Sequence, residues 1–173
     1  IHKLKTVLFK SLEYNIKKNY FRAEWMSSTF AVREIHKYFK SFNDMDYYYK
    51  ECAINARSPE NEADDFEKKF IEGLNEKSGA EKIDLIRDYE GKPYFVSIKK
   101  GETMDKGCLR CHSDPSVAPA GLVEKHGDSR SFGRSESEVV SAISVRIPLA
   151  EAYGEANRFS FIFSLILLLI LVL

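Results

Sequence analysis

Lys82-Ile83-Asp84-Leu85-Ile86-Arg87-Asp88 (KIDLIRD), followed by Glu90-Gly91-Lys92-Pro93 and then Tyr94-Phe95-Val96-Ser97-Ile98-Lys99 (YFVSIK), decides the fold. The first run alternates apolar and polar side chains, and the second is rich in β-branched and aromatic residues, so both read as strands. The segment between them holds Gly and Pro and is too short for a helix, so it is predicted to be a turn and the pair a hairpin. Val139 to Ile147 is a third strand, in which Val139, Ile143, Val145 and Ile147 alternate with smaller or polar residues until Pro148 stops it. Asp46 to Ala56 (DYYYKECAINA) is a fourth, with Tyr48, Cys52, Ile54 and Ala56 on one face. Four strands with local hairpin pairing predict an antiparallel sheet with flanking helices, the α+β class.

Helical patterns flank these strands. Residues 1–40 carry Leu4, Val7, Leu8, Leu12 and Ile16 at three- and four-residue spacing, continued by Trp25, Met26, Phe30, Ile35 and Phe39, and predict one long N-terminal helix. Ser41 to Asp46 breaks it. Ser58-Pro59-Glu60-Asn61 starts a second helix, whose apolar stripe is Ala63, Phe66, Phe70 and Leu74, and residues 75–79 end it. A third starts near Leu149 and runs into Phe159–Leu173 (FSFIFSLILLLILVL), which has no charge. That run would rise about 22 Å as helix, against a hydrocarbon core of roughly 30 Å, so it reads as the first part of a transmembrane helix. The chain starts at Ile1 inside a helical pattern, so a signal peptide or first span is expected before it. Three segments result: 1–45 helical, 46–148 a folded domain, and 149–173 an exit helix running into the membrane.

The chemistry concentrates at Cys108-Leu109-Arg110-Cys111-His112. The string C-x-x-C-H is the attachment signature of c-type haem: each thiol adds to one vinyl group of the porphyrin, and the imidazole faces the iron as proximal ligand. A thioredoxin-type C-x-x-C needs a βαβ setting, which the pattern lacks, and a zinc site needs a second pair. The remaining cysteine is Cys52, and the other histidines are scattered at 2, 36 and 126. Lys and Arg total 26, as do Asp and Glu, so the formal net charge is zero and no basic excess points to nucleic acid. The carboxylates Glu60, Glu62, Asp64, Asp65 and Glu67 lie at a helix N-terminus, where they complement the dipole rather than form a metal site. No serine-nucleophile motif or Gly-rich phosphate loop is present, so no enzyme is expected here.

Several stretches resemble the Tll0287-like haem domain family. They are Asn55-Ala56-Arg57-Ser58-Pro59-Glu60-Asn61-Glu62-Ala63-Asp64-Asp65-Phe66-Glu67, Cys108-Leu109-Arg110-Cys111-His112-Ser113-Asp114-Pro115, Ala118-Pro119, and Glu138 through Pro148. Ser58 stands where the family usually has Asn, and both residues cap helices. The resemblance covers about residues 20 to 150. It implies a PAS-like periplasmic haem c module with one covalent haem per chain, often the sensor part of bacterial transmembrane signalling proteins. It also implies a place at the bacterial inner membrane, with the haem domain in the periplasm.

His112 is the expected proximal ligand. For the sixth position Met26 is the first candidate, because the family's helix ahead of its first strand resembles Glu24-Trp25-Met26-Ser27-Ser28-Thr29. Against it stands a simple place in the apolar stripe. Cys52 is the second candidate, against a buried role on a strand face. His36 and His126 are weaker candidates, and His126 could instead meet a haem propionate. Met104 is too close to Cys108 to cross the haem, and an open sixth position would admit a diatomic gas. A methionine ligand raises the reduction potential and a thiolate lowers it. Arg110, Arg130, Arg134 and Lys125 are candidate propionate partners. The expected function is a redox or gas sensor signalling through the C-terminal helix. The alternative is a membrane-anchored electron carrier with a redox partner, and a homodimer is compatible with both.

Overall fold

A computed structural model of the chain describes residues 20–42 and 47–172. Its centre is a four-stranded sheet of β1 (Tyr48–Ala53), β2 (Lys82–Tyr89), β3 (Lys92–Lys100) and β4 (Ser141–Pro148). The order is β1-β4-β3-β2, and every neighbouring pair is antiparallel. The expected α+β architecture is therefore present. The β2–β3 turn is tighter than its sequence suggests: Glu90 (φ 52°) and Gly91 (φ 78°) alone make it, while Lys92 and Pro93 belong to β3. Two consecutive positive φ values give a turn whose twist matches that of the strands. Pro93 is tolerated near the start of β3, where its carbonyl accepts the Leu149 N–H at 3.0 Å.

Register sets the core. Cys52 pairs with Ala142, Ser144 with Ile98, and Ile98 with Ile83, so these side chains share one face. Helix α3 (Asp65–Asn75) covers that face with Phe70 and Ile71, and Phe66, Leu74, Ile54 and Ala63 pack around the edge. On the other face Ile86 is 59% exposed. The second helix does not run on from Ser58. Pro59–Asn61 makes a 3-10 turn, and α3 starts only after Asp64, whose carboxylate accepts from Phe66 N (3.0 Å) and Glu67 N (2.9 Å). Glu67 answers by accepting from Asp64 N at 3.0 Å, completing a capping box that outcompetes the Ser58 start.

The long N-terminal helix is described only from residue 20, so Leu4, Val7, Leu8, Leu12 and Ile16 lie outside the described residues, as do the segment boundary at 45 and Asp46. Within the described part the helix is interrupted. The turn α1 (Ala23–Met26) is separated from α2 (Ser28–Lys40) by Ser27 in an extended conformation (φ −113°, ψ 116°). The Ser27 hydroxyl accepts from Phe30 N at 3.2 Å, so a local cap wins over helix continuity. After β4 comes α6 (Ala150–Val172), 23 residues that rise about 34 Å. Its stretch Ala152–Leu171, with mean hydropathy 1.6 and none of it buried, is long and apolar enough to cross a membrane.

Gly101 closes the β3–β4 pair. Its N–H donates to Ser141 O at 2.9 Å, and a Cβ there would lie 2.4 Å from Ser141 Oγ and 2.8 Å from Ser141 O. Because one of those atoms is backbone, Gly101→Ala is expected to lower stability by about 2 kcal/mol in chemical denaturation. An unchanged midpoint would show that the strands separate freely here.

Candidate functional site

The C-x-x-C-H loop is held by two arms that extend β3 and β4. Glu102 N donates to Ser141 Oγ (2.8 Å), Thr103 bridges Val139, Met104 N donates to Glu138 O (2.8 Å), and Ser137 N donates to Met104 O (2.9 Å). Asn75 on α3 clamps the second arm, accepting from Val139 N and donating to Val139 O, both at 2.8 Å. Residues 105–136 are the loop so held. Cys108 N donates to Asp105 Oδ1 at 2.9 Å, which starts the single turn α4 (Leu109–His112). Cys108 caps that turn with helical backbone angles, and Cys111 follows three residues on, so both thiols lie along one side. Both are half-buried and free of any disulfide. Sequence reading missed this turn, because four residues carry no periodicity.

His112 is fixed by the returning chain. Its Nδ1 lies 2.8 Å from Ser131 O and 3.0 Å from Ser131 Oγ. A carbonyl only accepts, so Nδ1 carries the hydrogen and Nε2 keeps its lone pair, the form in which imidazole binds a metal. Ser131 aims its carbonyl from a left-handed conformation (φ 63°). Arg134 N donates to His112 O (3.0 Å) and Gly133 N to Ser113 O (2.7 Å), which lays 131–134 along the motif.

Burial, then the Arg57 charge, pushes the His112 imidazole down to about 4 from 6.5, so it is neutral near pH 7. Burial also pushes the Cys108 thiol up to about 11 and raises Cys111. A disulfide-exchange C-x-x-C stabilises a thiolate, and this site does the opposite. In iron-free protein the unfolded chain takes up a proton on His112 near pH 6.5 that the folded chain refuses until about pH 4. Stability is therefore expected to fall as pH drops through that window, by on the order of 3 kcal/mol, and to level off below it. Urea titrations across pH, repeated with His112→Phe, check this. An equally steep profile in the variant would assign the effect elsewhere.

Arg57 was not a candidate from sequence, yet it belongs here. Its Nη2 donates to Cys111 O at 2.7 Å, its guanidinium lies 4.8 Å from the Phe132 ring centroid, and its Nε is buried with no partner. The only signal in the chain is its place just ahead of Ser58-Pro59. Arg130 and Arg134 are engaged with the protein. Arg130 donates to Ala56 O (2.7 Å) and pairs with Glu62, while Arg134 bonds Ile54 O and Glu138 Oε1 (2.6 Å to the latter). They tie the loop to the segment after β1. The clustered carboxylates have similar duties: Glu62 accepts from Asn55 N (2.8 Å) and Ala56 N (3.0 Å), and Asp64 and Glu67 cap α3.

The distal candidates separate by location. Phe21 meets His126, at the end of α5 (Ala120–His126), with ring centroids 5.8 Å apart, and Ser28 Oγ donates to Glu102 Oε1 at 2.9 Å. These contacts bring α1, which carries Met26, to the loop. Met26 is half-buried, and its sulfur accepts from Arg22 N at 3.1 Å. Burial, then Arg57, lowers the His126 pKa. His36 instead packs on Tyr49 at 5.5 Å, at a groove between α2 and β1. Cys52 is fully buried in the core beneath α3, its thiol donates to Ala142 O at 3.2 Å, and burial pushes it up to about 12. Met104 is a core residue, 7% exposed. His2 lies outside the described residues.

The family model described as Tll0287-like matches residues 3–148. No curated protein matches the chain. Among solved structures, the crystal structure of the cyanobacterial heme-protein Tll0287 is similar, with a TM-score of 0.56 and 14% identity over 85% of this chain and 89% of that one. At that identity the likeness speaks for the fold. With the family model covering the sheet, the loop and the helices around them, the chain belongs to the Tll0287-like family.

Proposed function

We propose that the chain is a covalent haem c module, one haem per chain, anchored in the bacterial inner membrane by α6 and reporting redox state or a diatomic gas from the periplasm. The observation that carries the haem reading is the His112–Ser131 pair. It holds Nδ1–H on a carbonyl 2.8 Å away and leaves Nε2 unprotonated, beside two free thiols three residues apart. The donor set fits the group: Cys108 and Cys111 would hold the vinyl carbons as thioethers, His112 would ligate the iron, and the unpartnered Arg57 Nε is a candidate propionate donor. Haem iron bound here supplies one-electron chemistry and, where its sixth position is open, a site for a small gas. Ser131 orients the imidazole, and its hydrogen bond raises the ligand's basicity. Membership of a haem-protein family supports the same reading.

The sensing part rests on connectivity. The loop is zipped through residues 137–141 to β4, β4 is an inner strand between β1 and β3, and Leu149 is bonded to Pro93 directly before α6. A change in the loop therefore has a stiff path to the exit helix. The test is an optical spectrum of periplasmically matured protein, oxidised and then reduced, with carbon monoxide added last, beside spin-label distances on α6 in both redox states. A reduced haem that takes up the gas supports gas sensing, and a six-coordinate haem that ignores it while α6 shifts supports redox sensing. Rapid exchange with a quinol or cytochrome and an unmoved α6 would replace the sensor reading by the electron carrier.

A further inference from the structure

Helix α2 has two unlike faces. Thr29, Arg33, His36 and Lys37 line its groove against β1. Arg33 Nε and Lys37 Nζ lie 3.2 and 3.5 Å from Glu60 Oε2, and His36 packs on Tyr49, so this face is fixed to the domain. At about 100° per residue, Ile35, Tyr38 and Phe39 fall on the opposite face. The helical track continues past Lys40, because Ser41 N and Phe42 N donate to Tyr38 O and Phe39 O, both at 3.1 Å. Phe42 thereby joins the stripe, with its ring centroid 4.8 Å from that of Tyr38. Ile35, Tyr38, Phe39 and Phe42 are 57, 70, 54 and 69% exposed, and their spacing of three and four residues is that of a helix–helix seam.

The place of the stripe in the fold points to its occupant. Ser28 bonds Glu102 beside the C-x-x-C-H loop, and His36 reaches Tyr49 near the start of β1. Helix α2 therefore runs along β1 toward the end of the sheet where Pro148 leads into α6. The stripe lies along the flank of the domain rather than on its membrane end, so a lipid surface meets only its last turn. A second copy anchored in the same membrane holds its α2 in the same direction, and a two-fold axis along the membrane normal sets each stripe against itself. The exposed apolar surface is on the order of 500 Å² per copy, since large side chains of this kind span about 150–250 Å² each. A free-standing dimer buries about 800 Å² per partner, and confinement to one membrane offsets the shortfall by raising the local concentration.

We propose that this stripe is the contact of a homodimer, in which α2 of two copies pack side by side in the same direction. Ile35 meets its own counterpart across the axis, and so do Phe39 and Phe42. The shared direction rests on α6 spanning the membrane, whereas the stripe contact itself does not.

The test is crosslinking with a short bismaleimide in phosphatidylethanolamine–phosphatidylglycerol vesicles, on the periplasmically matured chain, with the parent chain as baseline. Ile35→Cys and Phe42→Cys are each expected to give covalent dimer, and Lys40→Cys, exposed on the other side of the helix, to stay at the baseline. Adding Phe39→Glu to Ile35→Cys is expected to lower the dimer yield about tenfold, because an aromatic anchor at the centre of a contact carries much of its energy. Phe39 is more than half exposed, so the fold does not depend on it. Yields no higher than that of Lys40→Cys, or yields indifferent to Phe39→Glu, overturn the proposal. So does a stripe cysteine that is shielded from the reagent without forming dimer, because another occupant then covers it. Dimer formed only between Ile35→Cys and Phe42→Cys chains, and by neither alone, overturns the shared direction. Carbonate extraction reads the anchor separately: a chain stripped from the vesicles removes α6 as a span, and the same cysteine pairs in the stripped chain still decide the stripe.

Discussion

Cys108→Ala combined with Cys111→Ala is expected to abolish covalent haem attachment while leaving the fold in place. The loop does not depend on the thiols for its shape. Asp105 starts its helical turn, the Ser131 carbonyl holds His112, and Arg57, Arg130 and Arg134 tie it to the segment after β1. Haem staining of denatured protein is therefore expected to vanish, with circular dichroism unchanged. Each single variant is expected to keep one thioether and a weaker stain. Full staining of the double variant would remove the two cysteines from the site.

Glu67→Ala is expected to cost about 3–5 kcal/mol, the largest stability loss of any single change considered. The side chain is 0% exposed and joins Lys50 Nζ at 2.6 Å to Arg146 Nη2 at 3.0 Å, and it accepts the Asp64 N–H that opens α3. Its removal leaves two cations beneath α3 without their shared partner and breaks the capping box. For a chain of this length the loss corresponds to a Tm lower by about 10 °C. Glu67→Gln keeps the hydrogen-bonding shape and is expected to fall between. A loss under about 1 kcal/mol would mean that water enters and solvates Lys50 and Arg146.

Much of this molecule is local, and the local parts were legible. The hairpin of β2 and β3 is written in alternating residues around Glu90-Gly91, and β4 in its alternation up to Pro148. The C-x-x-C-H string carries its own chemistry, because thiol spacing on one helical turn follows from the peptide geometry. The parts that sequence hid depend on residues far apart. Arg57 reaches Cys111 across 54 positions, and Ser131 reaches His112 across 19, from a left-handed conformation that serine rarely adopts. The start of α3 was misplaced because two overlapping cap signals compete, and Asp64 with Glu67 wins by forming both halves of a box around a buried ion network. The break at Ser27 escaped because the apolar spacing runs through it unchanged. Arg130 meets Glu62 across 68 positions, a pairing that only folding makes, while Arg134 pairs with Glu138 four residues on.

The central claim is covalent haem on Cys108 and Cys111 with His112 on the iron. The most direct measurement is a pyridine haemochrome spectrum of the periplasmically matured protein, taken before and after extraction with acidified acetone. A c-type spectrum that stays with the polypeptide after extraction is expected. Haem that passes into the acetone, or a polypeptide that never acquires it, would contradict the account.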